Sequence, residues 1–231
     1  MTPEQLTGQS DSHLEPSLIG TKTFLVHSEV KNDLNNLIEA AQLAGFKMEI
    51  ASGFRDYERQ SLIWKRKFSG QAPILDSESQ PLDASTLSEQ QKLSAILRWS
   101  ALPGASRHHW GCDFDVFARN HLPEDIQLQL EPWEYNETGP MAKLSNWLAE
   151  HGASFGFYFP YDRYRGGIAV EPWHISYAPL AKQYQSALSI EQLQQLLLNT
   201  DISGKQSIID NLPCLFTRYI NNVNPSNLGC R

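Results

Sequence analysis

Ser106-Arg107-His108-His109-Trp110-Gly111-Cys112-Asp113-Phe114-Asp115 sets an imidazole before a glycine turn and two carboxylates after it. Gly111 lacks a Cβ and lets the chain fold back closely. Beyond it, 113–117 reads as a strand, and residues two apart on a strand share a face, so Asp113 and Asp115 point the same way.

Upstream, Leu34, Leu37, Ile38, Ala41 and Leu43 recur at helical spacing between Val30 and Gly45, which stands where a helix ends. A strand is predicted over 47–52 and a helix over 56–68, followed by a polar loop over 71–87. Ser88 with Gln91 forms a capping box for a helix to Trp99 that buries Leu93, Ile96 and Leu97. Downstream, 119–140 reads as a long acidic loop with Trp133 and Tyr135, of a length usually reserved for function. A helix follows over 141–151 with Gly152 as its stop, then strands over 155–159 and 168–177. Ser189 with Gln192 caps a helical tail carrying Leu193, Leu196 and Leu197. Strands and helices mix without βαβ alternation, so the predicted class is α+β: an antiparallel sheet with flanking helices. The expected organisation is a flexible N-terminal arm over 1–20, a main domain over 21–187 and a helical C-terminal extension over 188–231.

The 231 residues, 41% hydrophobic and 10% aromatic, suit one folded domain with an appendage. Six Trp suggest a well-packed interior with a cleft. A net charge of -7 without a basic stripe excludes nucleic acid as the main partner. No run approaches the ~20 apolar residues of a membrane span. The first residues lack the basic start and apolar stretch of a secretion signal, and the expected compartment is the cytoplasm. Cys112, Cys214 and Cys230 are odd in number and widely spaced, which favours reduced thiols.

A second reactive cluster, Glu171-Pro172-Trp173-His174, adds another carboxylate and imidazole. Two imidazoles and one carboxylate make a catalytic zinc set with a fourth position open to water, whose pKa the metal lowers to about 7. The spare carboxylate then accepts the water's proton.

Together with Ser52-Gly53-Phe54-Arg55 and Gln60, these clusters resemble the three blocks of the VanY-type zinc D-alanyl-D-alanine carboxypeptidases, relatives of the VanX dipeptidases and the peptidase-like domain of hedgehog proteins. The blocks are S-G-[FY]-R with a Gln five residues after the Arg, S-x-H-x-x-G-x-x-x-D, and E-x-W-H. The similarity extends over about residues 30–180, including Trp147, Leu148, Gly156 and Phe157. It implies the hedgehog/D-Ala-D-Ala-peptidase-like fold and one Zn2+ per chain on His108, Asp115 and His174. It further implies Glu171 as general base and then acid, and Arg55 as the donor to the developing oxyanion. Ser106, Gln60 and Trp173 are the implied substrate contacts, and muropeptides from peptidoglycan the implied partners.

Two departures from the pattern stand out. Asp113 occupies a position where the family has a small or apolar residue, and reads either as a partner behind a ligand or as the ligand itself. Ser176 stands where many relatives have Arg. His109 reads as a hydrogen-bonding or rim histidine, Cys112 as a buried small side chain, and Trp110 as packing. A cytoplasmic D,D-carboxypeptidase would attack the pentapeptide precursors of the wall, so the expectation is L,D activity that trims recycled tetrapeptides to tripeptides. D,D activity, a phage-type endopeptidase and an inactive binding module are the alternatives.

Overall fold

The computed structural model describes residues 1–225. In chain order the elements are α1 (Pro3–Leu6), β1 (Leu14–Ile19), β2 (Lys22–His27), α2 (Lys31–Leu43), β3 (Met48–Ser52), α3 (Tyr57–Phe68), β4 (Ile74–Leu75), β5 (Pro81–Leu82) and α4 (Glu89–Trp99). They continue as β6 (Asp113–Ala118), α5 (Pro132–Tyr135), α6 (Ala142–His151), β7 (Phe157–Tyr158), β8 (His174–Tyr177), α7 (Ala178–Ala187), α8 (Ile190–Asn199) and α9 (Lys205–Leu215). The class is α+β, as expected: an antiparallel sheet of order β3-β6-β8-β7 with helices around it.

β6 runs through the middle of this sheet, and every one of its residues is buried. Its register sets Asp115 opposite His174 on one side and Ser52 on the other, and Asp113 opposite Ser176. A register shift between Ile50 and Ser52 turns the end of β3 and releases the chain toward Arg55.

Local chemistry explains the helices that frame the sheet. Asp56 accepts from the backbone N–H of Arg59 and starts α3, while Ser88–Gln91 and Ser189–Gln192 form the expected capping boxes of α4 and α8. α2 buries Leu34, Leu37 and Ala41, whereas Leu43, counted in its apolar stripe from sequence, is 90% exposed. Trp64 of α3 is fully buried and its indole N–H donates to the Ser203 carbonyl at 3.0 Å, tying α3 to the turn before α9. Leu193 and Leu197 of α8 and Ile208 and Leu212 of α9 enter the same hydrophobic core as the sheet.

The loose arm expected over 1–20 is instead folded. Thr2 and Gln5 make a capping box for α1, Leu6 is buried, and β1 pairs with β2 along its length. The Trp110 indole donates to the Leu6 carbonyl at 3.2 Å and the Tyr57 amide donates to the Gly8 carbonyl at 2.8 Å. At Gly8 φ is +77°, and a Cβ there would lie 2.2 Å from His109 Nδ1, so only glycine allows this approach. A polar composition concealed these few anchoring contacts.

Other boundaries also moved. The polar loop over 71–87 contains the β4–β5 hairpin, and the acidic loop contains α5, whose Tyr135 hydroxyl donates to the Val116 carbonyl at 2.8 Å. α6 passes through Gly152 into a 3-10 turn over Gly152–Phe155, so Gly152 is not its stop. The strand expected over 168–177 is confined to His174–Tyr177, because the Ala169 amide bonds to the Arg98 carbonyl outside the sheet. Among the described residues no helix is long and apolar enough to cross a membrane. Cys112 is buried and Cys214 exposed, both unpaired, while Cys230 lies outside the described residues.

Candidate active site

The turn over Arg107–Trp110 delivers His108, β6 delivers Asp115 and the start of β8 delivers His174, all three side chains being buried. One ligand atom from each lies within 4.8 Å of the others. His108 Nε2 is 3.4 Å from Asp115 Oδ2, and His174 Nδ1 is 3.7 Å from Asp115 Oδ1. The backs of both rings are occupied. His108 Nδ1 donates to the Gly53 carbonyl at 2.9 Å, and His174 Nε2 donates to Asp113 Oδ1 at 3.0 Å. The two remaining ring nitrogens face each other across Asp115, with the ring centroids 4.8 Å apart.

This donor set fits zinc. Asp115 Oδ1 is buried with no hydrogen-bond partner, a costly state for a carboxylate oxygen unless a cation accepts it. Each imidazole is fixed from behind by an acceptor, the usual support of a metal-binding histidine. Burial lowers the His174 pKa, but the hydrogen bonds its ring makes to Asp113 and Glu171 and the charge of Asp115 outweigh it and raise the value to about 10.

Glu171 precedes β8 by one turn. Its backbone N–H donates to the Tyr161 carbonyl, and its Oε2 lies 3.0 Å from His174 Nδ1, on the side of the trio that opens to the cavity. Asp113 occupies the opposite side. Arg107 Nε donates to its Oδ1 at 2.8 Å, and burial, which would raise its pKa, is overcome by Arg107 and His174 so that the value falls to about 2. Of the two roles open for Asp113 in the sequence, the geometry places it behind His174 and not among the three converging ligand atoms.

A cavity of about 300 Å³ opens over the trio, lined by Arg55, Ser106, Glu171 and Trp173 among others. Arg55 donates to Gln60 Oε1 at 2.8 Å and Ser52 Oγ at 3.0 Å. Gln60, expected to grip substrate, is 0% exposed, and its amide N–H donates to the Ala101 carbonyl at 2.7 Å. It therefore holds Arg55 and touches nothing in the cavity, because both ends of its amide are engaged by the protein. Trp173 both lines the cavity and packs on Tyr135, with ring centroids 5.6 Å apart.

His109 is hydrogen-bonded, as read, but deep inside and not at a rim. Its Nδ1 donates to the Arg55 carbonyl at 2.6 Å while Nε2 accepts from the Gly104 amide at 3.2 Å. Protonation would set a second donor against that amide. Burial, aided by the charges of Arg55 and His108, depresses its pKa to about 3 against the opposing pull of the hydrogen bond to the Arg55 carbonyl.

Among the cavity residues that escaped the sequence reading are Arg107, Lys67 and Tyr161. Arg107 lies inside the second motif yet looked like a spacer, and its donors reach Asp113, Gln185, Tyr158 and Ser176. Ser176, read as a lost cation, is that arginine's acceptor at 2.7 Å. Lys67 sits among basic residues at a helix end and reads as a solvated charge. Its spacing of seven from Gln60 was the signal that could have revealed it.

Comparison with known proteins agrees with this geometry. The family model described as VanY: D-alanyl-D-alanine carboxypeptidase matches residues 23–180. An uncharacterized protein of Haemophilus influenzae is 41% identical over 121 residues, which cover 52% of this chain and 92% of that one. A D-alanyl-D-alanine carboxypeptidase of Enterococcus faecalis is 27% identical over 174 residues, 73% of this chain and 53% of that one. The solved structure of VanYB in complex with D-Alanine-D-Alanine matches at a TM-score of 0.51 and 25% identity, over 84% of this chain and 91% of that one.

Proposed function

The chain belongs to the VanY family of D-alanyl-D-alanine carboxypeptidases, and on that premise we propose that it is a zinc metallopeptidase removing the terminal D-alanine from peptidoglycan stem peptides. The observation that carries the proposal is the unpartnered Asp115 Oδ1 between two imidazoles fixed from behind. His108, Asp115 and His174 hold the metal, which supplies Lewis-acid chemistry and lowers the pKa of a water to about 7.

The chain's own residues then divide the reaction. Glu171 stands on the open side of the trio and takes a proton from the attacking water as oxygen adds to the scissile carbonyl. The same carboxyl returns that proton to the amide nitrogen as the C–N bond breaks, and D-alanine leaves as an amine. Arg55 is held by Gln60 and Ser52, so its guanidinium is oriented before the negative charge develops on the carbonyl oxygen. Ser106 and Trp173 line the space for the peptide.

The bond cut is proposed to be the L,D bond between a diamino acid and D-alanine, converting tetrapeptides to tripeptides in wall recycling. An enzyme sharing the cytoplasm with wall precursors would consume them if it had D,D activity, whereas trimming of tetrapeptides leaves them intact. L,D specificity and a cytoplasmic location therefore stand together. Mass analysis after incubation with purified tetrapeptide and pentapeptide muropeptides tests both bonds: loss of one D-alanine from the tetrapeptide is expected, and cleavage of the pentapeptide alone overturns the L,D assignment. Glu171→Gln is expected to keep about one zinc per chain while nearly eliminating that product. An active Glu171→Gln protein would remove Glu171 from the role of base.

A further inference from the structure

Along α3, Gln60, Ile63 and Lys67 recur at i, i+3 and i+7 and so share one face of the helix. Gln60 supports Arg55, while Ile63 and Lys67 continue along the same face into the cavity wall. The Lys67 ammonium donates to Ser100 Oγ at 2.7 Å. Among the described residues no carboxylate oxygen lies within ion-pair distance of it, so its charge has no protein anion and only one of its three donors, the one on Ser100, has a protein acceptor. Burial presses its pKa down, and the charge of Glu171 across the cavity works against that.

The other two cations of the cavity are committed. Arg107 spends four of its five donors on Asp113, Gln185, Tyr158 and Ser176, and Arg55 is bound to Gln60 and Ser52 in the field of Asp115 and Glu171. Lys67 is thus a half-buried cation facing a substrate cavity without an anion of its own, an arrangement that costs free energy until a negative group arrives. A peptide end differs from a chain interior by one carboxylate just beyond the scissile bond. We propose that Lys67, seated on Ser100, binds the free terminal carboxylate of the substrate and thereby restricts the enzyme to chain ends. This assignment rests on the carboxypeptidase activity proposed above.

The test compares matched D-alanine-terminated peptides ending in an acid or an amide, in wild type, Lys67→Met and Lys67→Arg, each loaded with zinc. For Lys67→Met the acid-over-amide ratio of kcat/KM should fall about 10- to 100-fold, the size of a lost hydrogen bond to a charged group, mainly through KM. Lys67→Arg should restore most of the ratio, and Lys67→Gln, which keeps a donor for Ser100 Oγ but no charge, carries the test if the Met variant does not fold. An unchanged ratio in Lys67→Met with peptides still cut overturns the proposal and leaves the activity standing. If Lys67→Met instead alters only the choice between substrates whose diamino acid does or does not carry a side-chain carboxylate, Lys67 reads that group and the proposal falls. If wild type cuts neither peptide, binding of the two to Glu171→Gln protein by calorimetry decides. A Lys67-dependent preference for the acid then sustains the carboxylate site while the activity fails, and no such preference sinks both.

Discussion

Asp113 and Asp115 sit two residues apart on the same buried strand, face the same histidine and have opposite fates. Asp113 is closed off: Arg107 holds Oδ1 at 2.8 Å, His174 donates to the same oxygen at 3.0 Å, and the Arg107 guanidinium is itself enclosed by Tyr158, Ser176 and Gln185. Asp115 is left open, with Oδ1 unpartnered and the nearest nitrogens belonging to two imidazoles already engaged at their other ends. A carboxylate with its cation built in supports the fold, and one without is a place for a cation to come from outside. The difference between structure and chemistry in this molecule is a matter of which acid the protein neutralises itself.

The largest effect expected from this contrast is at Asp115. Asp115→Ala should lose bound zinc and turnover altogether, because three ligands leave no substitute, while the melting temperature of the metal-free protein stays near that of chelated wild type. Metal analysis beside calorimetry checks both, and full zinc content in the variant would break the comparison.

Next is the cavity side of the same site. Arg55→Ala should lower kcat by about 10²–10³ with a smaller change in KM, as a donor acting on the developing oxyanion does. A change confined to KM in steady-state kinetics would place Arg55 on the ground-state substrate instead.

Asp113→Ala should behave differently from Asp115→Ala in kind. It leaves the Arg107 charge buried and unpaired, so unfolding free energy should drop by about 3–5 kcal/mol. Zinc should weaken only about 10–100-fold, since the ring of His174 loses its backing but no ligand atom is removed. Denaturant titration and metal competition read the two effects separately, and complete metal loss would move Asp113 into the ligand set.

The last effect is silent near neutral pH and is read only in acid. His109 is neutral in the fold down to about pH 3, whereas its unfolded counterpart takes up a proton below its ordinary 6.5. Its contribution to stability is therefore fully present above pH 6.5 and is lost as pH falls toward 3, by up to ~1.4 kcal/mol per pH unit. His109→Gln should show a shallower decline across that window in chemical denaturation at a series of pH values, and an equal slope would mean that His109 protonates freely in the fold.

Much of this was legible beforehand because it is local. Capping boxes at Ser88 and Ser189 and the apolar spacing of Leu34, Leu37 and Ala41 each express backbone geometry over a few residues, and the helices followed. The roles of His108, Asp115, His174 and Glu171 were implied by the family resemblance that their motifs carry, and the fold brings all four to one wall of one cavity. The N-terminal segment was misread since its order depends on Leu6 reaching Trp110 and Gly8 reaching His109, about a hundred residues away. Gln60 was misassigned for a related reason: a polar side chain on the helix face directed at substrate differs from one directed at a neighbouring arginine only by the approach of Ala101.

The sequence by itself determined the kinds of atom available to the site and the local turns that present them, because dihedral preferences and donor chemistry belong to individual residues and short spans. Only the tertiary structure decided how those atoms are paired. Asp113 is silenced by an arginine six residues before it and a histidine sixty-one residues after it, and Lys67 has no acid beside it among the described residues. Electrostatic pairing depends on distances between groups that the chain brings together from far apart, and a buried charge acquires its role from the neighbour it has or lacks.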